Sequence, residues 1–110
     1  MSDHRDRDQE QEERKRQAEL AERRRQRERH LTTLAKDFDR QWKHAHSLAE
    51  GRTAATYDQA LALLVDLRDA YALRQQGAEF RRKLGEFRTA YARRSALMRR
   101  LDDAGLTVSS

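Results

Sequence analysis

Apolar residues are spaced along this chain in two contrasting ways. From Leu31 onward they recur at steps of three and four, through Leu34, Phe38, Trp42, Ala45 and Leu48, which aligns them on one stripe of a helix. The stripe predicts a helix ending near Glu50, with Gly51 as its left-handed terminator, a conformation that glycine adopts without a Cβ clash. Thr56-Tyr57-Asp58-Gln59 then reads as a capping box opening a second helix. Its Ala60, Leu61, Leu63, Leu64, Leu67, Ala70 and Tyr71 cover a broad arc, as expected of a middle helix with two neighbours. Gly77, after Arg74-Gln75-Gln76, is a reasonable stop. Phe80, Leu84, Phe87, Tyr91, Met98 and Leu101 continue in a four-three, coiled-coil-like period and predict a third helix to about Ala104, closed by Gly105. Arg94 falls in that seam between Tyr91 and Met98, where a guanidinium is costly unless it is paired or its stem carries the charge to water.

Residues 1–30 follow a different rule. Met1, Ala18, Leu20 and Ala21 are their only apolar residues, set against nine acidic and ten basic side chains. Such a segment cannot bury a face of its own. Its charges are interleaved, and Glu10–Arg14, Glu12–Arg16 and Glu19–Arg23 place the acid four residues before the base, each pair supporting a helix by about 0.2–0.5 kcal/mol. The segment reads as an extended charged helix or as a disordered arm. If residues 5–50 formed one helix it would run about 69 Å at the usual rise per residue.

The pattern therefore predicts an all-α chain: a long N-terminal charged helix plus two antiparallel helices, forming a small three-helix bundle or coiled-coil-like assembly. The expected organisation is an arm over 1–30, a bundle over 31–106 and a tail over 107–110. Composition strengthens this. There is no proline or isoleucine, glycine occurs four times, and Val65 and Val108 are the only valines, so turn punctuation and β-branched residues are both scarce. With 110 residues, 36% of them hydrophobic and 39% charged, no large core is attainable. The absence of cysteine removes disulfides and thiolate chemistry and suits a reducing compartment. Residues 1–17 lack the apolar centre of a signal peptide, and no run nears the roughly 20 apolar residues of a membrane span. A soluble, cytoplasmic chain without a membrane partner is expected.

Catalytic patterns are missing. There is no GxGxxG, GxxxxGK or GxSxG sequence. His44 and His46 are two apart and point to different sides of a helix, while His4 and His30 lack spaced companions. Asp102-Asp103 diverge on a helix surface, and Ser95 has no base at helical spacing. No enzyme, metal, cofactor or small-molecule substrate is expected.

Two binding readings remain. One is a protein–protein interaction or scaffold module, self-associating or with another protein, whose partner-helix seam comprises Leu31, Leu34, Phe38, Trp42, Phe80, Leu84, Phe87, Tyr91, Met98 and Leu101. The other follows from the net charge of +5 and the basic third helix. Arg81, Arg82, Arg88, Arg93, Arg99 and Arg100 would there contact a nucleic-acid backbone without reading bases. The same arginines also suit a plain solvated face.

Residues 57–106 carry Tyr57, Leu63-Leu64, Leu67-Arg68, Phe80, Leu84, Phe87-Arg88, Tyr91, Arg93-Arg94, Leu97-Met98, Leu101-Asp102 and Ala104-Gly105-Leu106. This resembles the C-terminal helical-repeat tail of bacterial SWIM zinc-finger family proteins. The resemblance implies an α-α hairpin used for packing or partner contact and brings no catalytic residue. The family's cysteine–histidine zinc motif has no counterpart here, so zinc binding is not implied.

Overall fold

The computed structural model describes residues 3–108, with side chains from Asp8 onward. Among the described residues there are five helices and no strand: α1 (Asp3–Ala35), α2 (Phe38–Glu50), α3 (Ala54–Leu73), α4 (Gly77–Ala90) and α5 (Ser95–Asp103). The all-α expectation holds. The expected count of three does not, because two of the periodic stripes run across helix breaks.

The first break lies at Lys36-Asp37. Bonds from Lys36 N–H to the Thr33 carbonyl (3.2 Å) and from Asp37 N–H to the Leu34 carbonyl (3.3 Å) tighten the end of α1. Asp37 then takes an extended φ of −152° and its carboxylate accepts the Arg40 N–H at 3.1 Å, so it caps α2. Residues 5–50 are thus not one helix. Apolar spacing hid the break because Leu34 and Phe38 remain four apart on either side of it.

A second break divides the expected third helix. Tyr91 closes α4, the Arg94 N–H turns back to the Tyr91 carbonyl (2.9 Å), and α5 restarts at Ser95. Arg94 consequently sits at the N-cap of α5 and not inside a seam.

Chain reversals also use other residues than expected. Gly51 has a right-handed φ of −64°, and it is Arg52 that turns left-handed, with φ 57°. Gly51 is required for space instead: a Cβ there would lie 2.6 Å from Thr56 Cγ2. Thr56 is held in place because the capping box is Thr53–Thr56, one turn earlier than Thr56–Gln59. The Thr53 hydroxyl accepts the Thr56 N–H, the Thr56 hydroxyl accepts the Thr53 N–H, and both distances are 3.1 Å. After α3 the left-handed residue is Gln75 (φ 58°), while Gly77 begins α4. Gly105 behaves as expected. Its φ of 76° closes α5, letting Leu106 N–H reach the Leu101 carbonyl (2.8 Å) and Gly105 N–H reach the Asp102 carbonyl (3.0 Å).

The chain divides into two compact units, residues up to His30 and residues from Leu31 onward. In the second unit α3 packs against α2, α4 and α5, which accounts for its broad apolar arc. Phe87, Leu64, Leu67, Leu84, Leu97, Leu101 and Leu106 are the largest fully buried side chains. Phe38 stacks on Tyr71 with ring centroids 3.8 Å apart, and the buried Trp42 Nε1–H donates to the Tyr71 hydroxyl at 3.0 Å. Leu31 and Leu34 form a smaller cluster with Ala70, Phe38 and Leu63.

The two glycines are expected to respond oppositely to substitution. Gly51→Ala should destabilise the bundle by about 1–3 kcal/mol, since Thr56 cannot retreat without opening its capping box. Gly77→Ala meets nothing within 4 Å and should stabilise by about 0.4–1 kcal/mol through a less flexible unfolded chain. Urea unfolding followed by circular dichroism measures both.

Candidate functional site

The apolar stripes come together with one another. Leu31, Leu34, Trp42, Phe80, Leu84, Phe87, Tyr91 and Leu101 are buried against the chain's own helices, and Phe38 and Met98 are half-buried on the same core. The side chains that spacing offered as a partner seam therefore form the interior of the bundle.

Where α2 ends, a polar cluster joins distant parts of the sequence. Arg94 Nη1 donates to the Ala49 carbonyl at 2.7 Å and Nη2 to the Glu50 carboxylate at 3.2 Å, while its guanidinium lies 5.4 Å from the Tyr91 ring centroid. This places a cation at the C-terminus of α2, where carbonyls lack helical partners and the helix dipole is negative. The Tyr91 hydroxyl donates to the His46 carbonyl (3.2 Å) and lies 2.9 Å from His46 Nδ1, which in the Nδ1–H tautomer donates to it. All of these contacts brace helix junctions. None brings a nucleophile and a base to a shared opening.

The arginines proposed for nucleic-acid contact are dispersed. Arg82 pairs with both Glu79 and Glu86 on its own helix. Arg88 pairs with Asp102 at 2.8 Å and also donates to the Leu106 carbonyl. Arg100 pairs with Asp58 at 2.8 Å and lies over the Tyr57 ring. Arg81, Arg93 and Arg99 are exposed and have no carboxylate partner among the described residues. Arg81 is on α4 and Arg99 on α5, with Arg93 in the turn between them, so no single straight helix presents the set. Sequence reading missed the pairs Arg88–Asp102, Arg100–Asp58 and Arg94–Glu50 because they span 14, 42 and 44 residues. No local spacing rule reaches that far.

Taken by itself, the segment up to His30 is helical from Asp3, and residues 8–20 are exposed throughout. Glu22 gathers Arg25 at 2.8 Å and Arg29 at 3.2 Å. The hydrogen bond from Arg25 holds the Glu22 carboxyl below the ordinary carboxylate range. Leu20 is half exposed and lines shallow depressions with Gln17, Arg23, Arg24 and Arg27. This is the one large apolar side chain of residues 8–30, and nothing within the segment covers it.

The bundle also has an open cleft of about 300 Å³, lined chiefly by Phe80, Leu84 and Leu106 with Arg68 and Arg81. No group of three or more histidine, cysteine, aspartate or glutamate side chains among the described residues is arranged to hold a metal ion. No helix among them is long and apolar enough to cross a membrane.

Two phenols couple the bundle's stability to pH at the alkaline end. Burial pushes Tyr71 and Tyr91 above the ordinary tyrosine range, reinforced by Glu79 near Tyr71 and Glu50 near Tyr91. The folded state thus holds these protons more tightly than the unfolded chain. The resulting stabilisation is complete below about pH 10 and is lost as pH rises through the folded-state values. Urea midpoints should fall above about pH 10, and Tyr71→Phe and Tyr91→Phe should each flatten that decline while lowering the neutral-pH midpoint.

No protein-family model, curated protein or solved structure matches this chain.

Proposed function

We propose that this protein is a cytoplasmic, non-enzymatic helical interaction module that engages a protein partner through the charged helix preceding its bundle. One observation carries the reading: the side chains spaced as a partner seam are spent on the bundle's own interior, whereas Leu20, 49% exposed, is not covered within its segment. Arginine is enriched among the residues that carry binding energy at interfaces, and Arg23 and Arg24 line the depression beside Leu20. The likeness of residues 57–106 to a helical-repeat tail supports the same role for the bundle, as a packing element carrying a contact helix. The lack of cysteine suits a reducing compartment.

A second reading, non-specific nucleic-acid binding, is favoured by the exposure of Arg81, Arg93 and Arg99. Only half of the six proposed contacts remain without a carboxylate, however, so the phosphate-neutralising charge is smaller than the sequence suggests.

The immobilised full chain should retain a defined protein from a nuclease-treated lysate. Leu20→Glu combined with Arg24→Glu should reduce that retention by about tenfold or more, with helicity unchanged by circular dichroism because both positions are exposed. Retention that disappears with nuclease, together with salt-sensitive loss in an Arg81, Arg93 and Arg99 charge reversal, would favour the second reading. No retention of any kind would sink the first.

A further inference from the structure

The bundle gathers uncompensated positive charge in one place. An open hollow of about 390 Å³ is lined by Arg52 from the α2–α3 turn, by Arg93 and Arg94 from the α4–α5 turn, and by the small side chains of Ala90 and Ala92. Arg94 is already engaged: its Nη1 holds the Ala49 carbonyl and its Nη2 the Glu50 carboxylate, so that pair is neutral. Arg52 and Arg93 are exposed and have no carboxylate partner among the described residues. No carboxylate side chain lines the hollow. Two free guanidiniums, far apart in the sequence, therefore border the same opening.

The backbone at Arg52 is a second observation. Its φ of 57° lies in the left-handed region, where a Cβ is a steric cost and glycine is the usual occupant. Gly51 stands immediately before it, yet takes a right-handed φ of −64°. An arginine thus occupies a position where glycine would remove the strain, and its side chain makes no ion pair within the bundle to offset it. Strain kept in this way is common at binding sites.

We propose that this hollow binds one terminal phosphate group, the phosphomonoester dianion of a small molecule. Charge selects the ligand. A phosphomonoester carries close to two negative charges at neutral pH and three acceptor oxygens, which match two free guanidiniums with their planar forks of donors. A phosphodiester of a nucleic-acid backbone brings one charge per phosphate and matches them less well. The surroundings disfavour a macromolecular partner: the exposed Leu20, Leu73 and Val108 do not line the hollow, so an interface centred there would lack an apolar core. Its volume falls at the low end of small-molecule sites. Phosphate binding here and partner contact through the residues before Leu31 are independent of each other.

Titration of the full chain with phenyl phosphate at about pH 7.5, followed by heteronuclear NMR, tests this. The backbone amides of Arg52, Ala92 and Arg93 should shift together and saturate. Phenyl sulfate, of the same shape with one negative charge, should bind about fivefold or more weakly. Arg52→Gly and Arg93→Gln should each raise the dissociation constant about tenfold. Arg52→Gly should do so without lowering the urea midpoint, because its φ suits glycine. Arg81→Gln removes an equal charge from an exposed arginine outside the hollow and should change the constant by less than about twofold. A flat titration overturns the proposal, as does Arg81→Gln weakening binding as much as Arg93→Gln, or equal affinity for phenyl sulfate. Should the titration be flat while duplex DNA shifts those amides, the hollow belongs to a nucleic-acid surface instead.

Discussion

Burial of α3 is the constraint on which the rest of the bundle depends. Tyr57, Ala60, Leu64, Leu67, Ala70 and Tyr71 are buried along its length, so the helix must be covered on several sides at once. Full burial of a leucine contributes about 1.5–3 kcal/mol, and Leu64 and Leu67 are both completely enclosed. In a chain with this little apolar material, covering α3 uses the inner faces of α2, α4 and α5. Turns at Lys36-Asp37 and at Tyr91–Arg94 separate the short helices, of which α2, α4 and α5 pack on α3.

Those breaks expose helix ends, and the ends are where the bundle's long-range polar contacts collect. Asp37 caps α2 at its start, and Arg94 covers a carbonyl at its finish. Arg88 ties α4 to the end of α5 through Asp102 and the Leu106 carbonyl. Arginine suits this work because its planar fork of donors reaches a carbonyl and a carboxylate together. Basic residues that resemble a nucleic-acid stripe in the sequence thus act in part as struts between helices.

The segment before Leu31 obeys different physics. With one large apolar side chain among residues 8–30, its helix is supported by local ion pairs such as those at Glu22, each of small value and open to salt. A surface of that kind contributes little to a folded core.

Several features were legible in the residues alone. The helical class follows from missing proline and scarce β-branched residues, the buried stripes from three-four spacing, and the α5 terminus from Gly105, because each depends on neighbours within one or two turns. The start of α2 was legible in principle, as Asp37 precedes an apolar residue in the manner of an N-cap, but unbroken spacing across it masked the signal. Tertiary structure alone decided that the stripes face one another, that Gly51 is needed for clearance from Thr56, and that Arg88, Arg94 and Arg100 are held by distant partners. The reason is one of range: backbone periodicity is a local property, whereas an ion pair across 42 residues exists only after the helices have packed.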